Sequence, residues 1–375
     1  MRLLGLCLVA CSASPVGPPA KPAEASPPPR LAVASPMPPS AAAVAEPVRA
    51  PAELGFLKGQ THVHTSRSYD ARTPPEEVVR FYRERGYDFL ALTDHNRVTT
   101  LPAPDGMLLF AGVELSQNST QCEPRPSPGY RCLFHLSGLF LDPARDAQKG
   151  ERIPLTFRPG RLDAYRSQLE VVRSLEGVPV LNHPLFHFAA DARLIRGLAS
   201  EGVHHVELWN ASLDQQHPGS RRSAEDRAEA LWDDVLSQGT RVFGVATDDA
   251  HHFADAAQRA RLGKSAYVGD RAWIMVRADK TPESIRSAFN AGDFYASTGV
   301  TLAALESHSG ALALSVAPAA GSTTIRFVGK NGRELGRVSG PRARRELAKG
   351  EGYLRAVVED SAGRKAWTQP LWESP

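Results

Sequence analysis

Short apolar runs that alternate with helix signals predict an α/β fold. Seven such runs lie between residues 53 and 304, and we interpret them as the strands of a distorted, seven-stranded (β/α) TIM-like barrel. After about Leu305 the pattern changes to short alternating strands separated by turn residues such as Asn331-Gly332. Residues 305–375 are therefore expected to form a small antiparallel β-sandwich-like module, or a β-extension packed on the barrel.

The helix signals recur in the same form between the strands. Residues 73–77, TPPEE, combine an N-cap, a proline start and an acidic first turn, and Gly86 marks the end of that helix. A second such start, at residues 281–283, precedes a helix that ends at Gly292. Three more helices are expected to end at Gly177, Gly202 and Gly239. The segment 103–160 lacks clear helix signals, so the barrel should be irregular there.

Each of the seven apolar runs ends in a residue that can bind a metal ion. These residues are His62 and His64, His95, Glu114, His135, His183, Glu207, and Asp249 with His251. Side chains two apart on a strand point to one face, so each of the two pairs can reach one ion. The C-terminal ends of parallel strands are where a barrel places its active site. Imidazole and carboxylate ligands suit Zn, Mn or Fe, and two or three divalent ions are expected.

Together the motifs resemble those of the polymerase-and-histidinol-phosphatase (PHP) superfamily of metallohydrolases. The resemblance covers about residues 56–300 and rests on HVHTSRSYD, ALTDHN, GVEL, FHLSG, NHP and TDDAHH. It implies a trinuclear site whose ligands are His62, His64, Asp70, His95, Glu114, His135, His183, Asp249 and His251. The usual HxHTxxSDG run has one residue more here. The stretch 273–299 also resembles the branch that includes carbaryl hydrolases, whose substrate need not be a phosphate ester.

The chemistry expected of such a site is hydrolysis by a hydroxide that the ions share. Glu114 can bridge two ions about 3.5–4 Å apart, which lower the pKa of the water between them. The residues expected to act in catalysis are His62, His64, Glu114, Asp249 and His251. Arg97 and Lys264 are candidates to bind a phosphate oxygen.

A small-molecule phosphoester is the predicted substrate. A carbamate, a carboxylic ester or an amide hydrolysed at the same site is the alternative. A second alternative is a surface-anchored binding module with a structural metal, although structural sites are closed and catalytic sites keep open positions.

Four further polar residues lie beside the predicted ligands. Glu207 and Asn210 could orient ligands, or Glu207 could belong to a structural ion pair. Asp94 and Asp248 each precede a ligand by one residue on a strand, so they should face away from the site and have structural roles.

The N-terminus predicts export. Residues 1–11 resemble a lipoprotein-type signal peptide, in which Cys11 would be lipidated, and an uncleaved N-terminus is the alternative. Residues 12–52 are rich in Pro and Ala and predict a disordered tether. The protein would be anchored by lipid to a bacterial outer membrane, or periplasmic. Contact with the membrane is expected through the anchor only, because no apolar run reaches the roughly 20 residues of a span.

Two cysteines remain outside the predicted signal. Cys122 and Cys132 flank a Pro/Gly-rich turn and predict a disulfide in an oxidising compartment. A zinc site is the alternative, but the spacing does not suit it. The formal net charge of +3 gives no indication of nucleic acid as a partner. The sequence leaves the oligomeric state unknown.

Overall fold

The computed structural model describes residues 55–126, 128–216, 221–308, 310–318 and 321–373. The predicted signal peptide and the whole of the predicted tether lie outside these residues. The strands are β1 (Phe56–Gln60), β2 (Phe89–Leu92), β3 (Leu108–Ala111), β4 (Val113–Ser119), β5 (Cys132–Leu139), β6 (Val178–Leu181), β7 (His205–Asn210), β8 (Phe243–Thr247), β9 (Trp273–Arg277), β10 (Phe294–Ser297), β11 (Leu302–His308), β12 (Ala311–Val316), β13 (Thr323–Gly329), β14 (Arg333–Ser339), β15 (Arg342–Glu346), β16 (Tyr353–Asp360), β17 (Lys365–Thr368) and β18 (Leu371–Trp372). The helices are α1 (Pro75–Arg83), α2 (Arg161–Ser174), α3 (Ala192–Ala199), α4 (Ala211–Gln216), α5 (Arg221–Ser237), α6 (Ala256–Arg261) and α7 (Pro282–Ala291).

The helix signals in the sequence are confirmed. Helix α7 begins after Thr281, whose side chain accepts a hydrogen bond from the backbone N–H of Ser284, and it ends at Gly292 with a φ of 74°. Helices α1, α2, α3 and α5 also lie where their signals predict. One detail of α1 is wrong: Pro74, rather than Thr73, occupies the N-cap position, and no side chain caps the helix. Proline at the first helical position already has a helical φ, so α1 begins without a hydrogen bond from a capping side chain.

The strands form three sheets rather than one closed barrel. One sheet has the order β14-β13-β16-β17-β10-β9-β1-β2-β3, with β18 beside β16, and a second has the order β4-β5-β6-β7-β8. Strands β1, β2 and β3 are parallel, as are β6, β7 and β8. Isolated parallel bridges, Val63 with Ala250 and His95 with Glu114, connect the two sheets. The fold is mixed α/β, and the predicted closed barrel is not confirmed.

The irregular segment predicted at 103–160 is where the parallel order fails. Strand β5 is antiparallel to both of its neighbours, β4 and β6. No α-helix lies between β4 and β5 in the described residues, and without a long crossover two consecutive strands pair antiparallel. The predicted disulfide between Cys122 and Cys132 is confirmed, and it joins the segment after β4 to the first residue of β5.

The C-terminal strands continue the first sheet. Strand β17 pairs antiparallel with β10, and β16, β13 and β14 follow it. The three-stranded sheet β11-β12-β15 packs against this extension through a core that includes Leu312, Leu314, Phe327 and Val358. This arrangement corresponds to the β-extension alternative. Among the described residues, no helix is long and apolar enough to cross a membrane.

Candidate metal centre

The nine predicted ligands lie together at one place in the fold. Six of them follow the ends of parallel strands: His62 and His64 after β1, His95 after β2, His183 after β6, and Asp249 and His251 after β8. Glu114 and His135 lie on the antiparallel strands β4 and β5, and Asp70 precedes α1. All except Asp70 and His251 are buried. The strand-end pattern in the sequence therefore identified side chains that share one site.

Glu114 lies at the middle of the histidines. Its Oε1 is 2.9 Å from Nδ1 of His135 and 3.2 Å from Nε2 of His183. Its Oε2 is 2.9 Å from Nδ1 of His95 and 3.4 Å from Nε2 of His64. The two oxygens of one carboxylate therefore face different imidazoles, which is the arrangement that a bridging ligand needs.

A second group of donors is formed by His62, His64 and Asp249. The Nε2 atoms of the two histidines are 3.1 Å apart, and Oδ1 of Asp249 lies 3.2 Å from the first and 3.1 Å from the second. Asp249 adopts a positive φ of 49°, a backbone conformation that non-glycine residues rarely adopt. Two imidazole nitrogens and a carboxylate oxygen at these distances suit one borderline divalent ion.

Asp70 belongs to a third group, although the motif that leads to it is one residue longer than the usual HxHTxxSDG run. Its Oδ2 lies 3.2 Å from Nε2 of His95 and 3.4 Å from Nε2 of His251. The ring of His251 stacks on that of His64 at 4.1 Å. Besides the group of His62, His64 and Asp249, the described residues contain three overlapping sets whose ligand atoms lie within 4.8 Å of one another: His64-Asp70-His95-His251, His62-His64-Glu114 and His95-Glu114-His135. The donor set is compatible with divalent metal ions.

The electrostatics of the centre are those of a site for cations. Burial opposes the charge of Glu114, but His135, His95 and His62 lower its pKa well below the ordinary value. Burial likewise opposes the protonation of His62, yet the carboxylates around it, first of all Asp249, raise its pKa well above 6.5. Glu114 is therefore ionised, and the carboxylates favour protonation of His62, whereas burial and the neighbouring imidazoles His251 and His95 lower the pKa of His64 to about 4. Metal ions bind deprotonated imidazole, so a bound ion would displace such a proton.

Glu207 orients two of the predicted ligands. Its Oε1 is 2.6 Å from Nδ1 of His62, and its Oε2 accepts a hydrogen bond of 2.7 Å from the backbone N–H of His183. The side chain of Asn210 donates to the same Oε2 at 3.0 Å. Holding Nδ1 of His62 leaves Nε2 for the centre, as carboxylate–histidine pairs do in metal sites. These contacts support the orienting role, although the pair is also a salt bridge if His62 is protonated.

The structural roles predicted for Asp94 and Asp248 are confirmed. Asp94 accepts hydrogen bonds from the backbone N–H of Thr65 at 2.7 Å and from the hydroxyl of Ser68 at 3.0 Å. It thereby fixes the loop that follows the first two histidines. Asp248 accepts from the hydroxyl of Tyr82 at 2.8 Å, and burial raises its pKa to about 6.

Two residues on β4 that contact the predicted ligands were not predicted from the sequence. The hydroxyl of Ser116 lies 2.6 Å from Nδ1 of His95, and Oδ1 of Asn118 lies 2.7 Å from Nε2 of His135. Both residues share the face of Glu114, two and four positions along the same strand. The period of two that paired His62 with His64 could also have identified them.

Two more missed residues contact the ligands from other segments. Asn182, directly before His183, donates a hydrogen bond of 2.8 Å to Oε1 of Glu114. Tyr69, directly before Asp70, stacks on the ring of His95 at 4.8 Å while remaining 63% exposed. Tyr69 therefore lies at the edge of the centre.

The two cations predicted to bind phosphate have other neighbours. Nη1 of Arg97 donates hydrogen bonds to the carbonyl of Gly150 at 2.8 Å and to Oε2 of Glu151 at 3.2 Å. Lys264 is exposed after α6, and its backbone N–H donates to the carbonyl of Arg259. These contacts do not bring either side chain to a predicted ligand, so their role in binding substrate stays a prediction.

Comparisons with known proteins add little to this geometry. No family model matches the chain, and no curated protein matches it. One solved structure that it resembles is an amidohydrolase from Chromobacterium violaceum with bound sulfate and no metal. The identity is 15%, the alignment covers 52% of this chain and 88% of that chain, and the TM-score is 0.32. A likeness of that size carries no argument about function, and the predicted PHP membership stays a prediction.

Proposed function

We propose that this chain is a metal-dependent hydrolase of the PHP superfamily. The observation that carries the proposal is the position of Glu114, whose two carboxylate oxygens face separate sets of imidazoles. Two or three bound ions, of Zn, Mn or Fe, would lower the pKa of a water molecule and neutralise charge that develops on the substrate. The ligands would be the nine residues described above, and the same motifs support the family assignment.

The chain's own residues hold the ligands in place. Glu207 keeps His62 in one orientation through its Nδ1, and Ser68 and Ser116 lie within hydrogen-bond distance of Nδ1 of His64 and His95. Such contacts hold the ring planes of these three imidazoles. The result is a set of nitrogens whose positions are determined before an ion binds, which limits the reorganisation during reaction.

The strand order supports a distorted barrel as the fold around this centre. Neighbouring strands follow the series β1, β2, β3 with β4, β5, β6, β7 and β8, where Gly112 alone separates β3 from β4. After β8, the bridge between Ala250 and Val63 leads back to the segment that follows β1. We infer that these strands occupy seven positions around a distorted ring, one of them antiparallel.

A phosphoester is the first candidate substrate. Several ions in one site are most useful where charge develops on several oxygens at once, and a phosphoryl group meets that condition. Arg97 and Lys264 remain the cations proposed to assist.

A neutral carbamate, carboxylic ester or amide is the second candidate, and one observation favours it. The guanidinium of Arg97 is already bound by the carbonyl of Gly150 and by Glu151, so a phosphate would have to compete for it. A substrate without that charge would not need the guanidinium.

We also propose that the protein is exported and anchored by lipid at Cys11. The disulfide between Cys122 and Cys132 supports an oxidising compartment. In that location the tether of residues 12–52 would separate the enzyme from its membrane.

Turnover that depends on metal tests the function. The full chain would be stripped with a chelator, reloaded with Zn, Mn or Fe, and assayed on an aryl phosphomonoester, a bis-aryl phosphodiester, an aryl carbamate and an aryl acetate. We expect turnover of at least one class that is lost on stripping and restored by reloading. Bound metal without turnover of any ester would instead support the surface-anchored binding module. Undiminished turnover in the stripped protein would contradict metal catalysis.

A further inference from the structure

A small cavity adjoins the metal centre on the side of His183. Its volume is about 60 Å³, and part of its wall is formed by His183, Glu207 and Asn210. His183 is a predicted ligand, and the other two residues support the ligands. A group that occupies the cavity would therefore lie beside whatever the centre binds.

The rest of the wall is apolar. It consists of Pro184, Leu185, Leu208, Trp209, Leu213 and Ala228. Leu208 and Trp209 are buried, whereas Leu213 and Ala228 are half-buried. A smaller void of about 10 Å³ lies next to it and shares Pro184, Leu208 and Ala228. Apolar walls with a few polar groups at one end are typical of a subsite for the non-reacting part of a substrate.

His183, which lines this cavity, carries a buried polar atom without a partner in the described part of the chain. Its Nε2 is 3.2 Å from Glu114, while its Nδ1 is buried and has no hydrogen-bond partner among the described residues. A neutral imidazole that binds an ion through Nε2 carries its proton on Nδ1, which then needs an acceptor. The backbone N–H of His183 is held by Oε2 of Glu207 at 2.7 Å, which fixes the position of the residue at the edge of the cavity. A substrate oxygen could accept this N–H.

We propose that this cavity binds a small apolar group of the substrate, joined to the hydrolysed bond through an oxygen that accepts a hydrogen bond from Nδ1 of His183. The inference rests on the proposed function, because it requires the bond to be held at the metal centre. It names the substrate class more closely: an ester-type compound with a short aliphatic or similarly small apolar substituent.

Binding of straight-chain carboxylates to the metal-loaded full chain tests the proposal without turnover. The probes are acetate, propionate, butyrate and pentanoate, and calorimetry measures their affinities. We expect the affinity to rise about fourfold for each methylene that enters the cavity, the value of one buried CH₂ group. The variant Ala228→Leu should remove this rise, because the added side chain occupies the cavity. Ala230→Leu, an exposed position two residues further on α5, should retain it.

Two results would overturn the proposal. One is equal affinity for all four carboxylates in the parent chain, and the other is an undiminished rise in folded Ala228→Leu. If Ala228→Leu does not fold, Leu213→Ala replaces it, and the rise should then extend to longer chains. An unchanged profile in Leu213→Ala would count against the cavity. Failure of the proposed function is a separate result. The rise in carboxylate affinity with chain length is measured by binding alone, so it can be tested even in a chain that hydrolyses no ester.

Discussion

Two buried clusters of charge in this molecule differ in what neutralises their carboxylates. In the first, which we call the α5 ion-pair cluster, Asp233 on α5 accepts hydrogen bonds from Nε of Arg355 at 2.8 Å and from the hydroxyl of Tyr353 at 2.6 Å. Glu229, one turn earlier, lies 3.4 Å from Nζ of Lys365. The chain supplies the cations itself, and the cluster joins α5 to the C-terminal strands.

The carboxylates of the metal centre differ from those of the α5 ion-pair cluster in their ion-pair partners. Among the described residues, the ion pairs of Glu114, Asp249 and Asp70 are all with imidazoles. Burying ionised carboxylates without a permanent cation is costly, so the cluster gains from an external one. The partner of a buried carboxylate, rather than its burial, therefore distinguishes a binding site from a cluster that stabilises the fold.

The largest expected effect comes from removing a carboxylate of the metal centre. Asp249→Ala should lower kcat/KM by at least about a thousandfold, since it removes the carboxylate that lies within 3.2 Å of Nε2 of both His62 and His64 and would bind the same ion. The fold should persist, because the strands pack independently of this side chain. Kinetics on the best substrate, with circular dichroism as the check on folding, measure the change. Near-normal turnover with unchanged metal content would remove Asp249 from the centre.

The matched change in the α5 ion-pair cluster should act on stability instead. Asp233→Ala leaves Arg355 buried without its closest partner, and breaking a buried pair in this way costs about 3–5 kcal/mol. Denaturant unfolding measures the loss. The folded fraction should bind metal and turn over substrate as the parent does. Loss of metal binding with no change in the free energy of unfolding would contradict the structural role of the α5 ion-pair cluster.

His205 is a buried histidine outside the metal centre, and among the described residues it lacks the carboxylate neighbours that surround His62. His205 is buried, stacks on Phe289 at 4.1 Å, and burial lowers its pKa to about 4. An unfolded histidine takes up its proton near pH 6.5, so between pH 6.5 and 4 the unfolded chain binds more protons. The free energy of unfolding should therefore fall as the pH falls, by about 3 kcal/mol over that window from this group.

Comparing the parent with His205→Phe at several pH values isolates that contribution. Replacing the ring removes the titrating group, so the difference in the free energy of unfolding between the two proteins should shrink or change sign as the pH falls from 7 to 4. A difference that stays constant with pH would mean that His205 is not held neutral in the fold.

The smallest expected effect is that of an orienting carboxylate. Glu207→Gln keeps the shape but weakens the contact with Nδ1 of His62, and changes of this kind lower metal affinity by about 10- to 100-fold. Competition with a chelator of known affinity measures it. Affinity equal to that of the parent would assign Glu207 to packing alone.

Much of the site was predictable because its signals are local. A residue at the end of an apolar run is placed by its own strand, so His62, His95, His183 and Asp249 could be identified without knowing which strands pair. Helix ends were predictable for the same reason, since Gly292 requires only a left-handed conformation at its own position.

The parts that could not be predicted depend on partners distant in the sequence. Pairing of β10 with β17 joins residues about seventy positions apart, and no local pattern encodes it. The direction of the Arg97 side chain is likewise set by the 150–151 turn. Ser116 and Asn118 were different, because their period-two spacing from Glu114 was present in the sequence.

Metal analysis of the full chain, together with anomalous diffraction to locate the ions, tests the central claim most directly. We expect two or three divalent ions for each chain, all of them among the nine ligands around Glu114, and none at the α5 ion-pair cluster. Fewer than one ion for each chain after reloading, or ions bound away from Glu114, would contradict it.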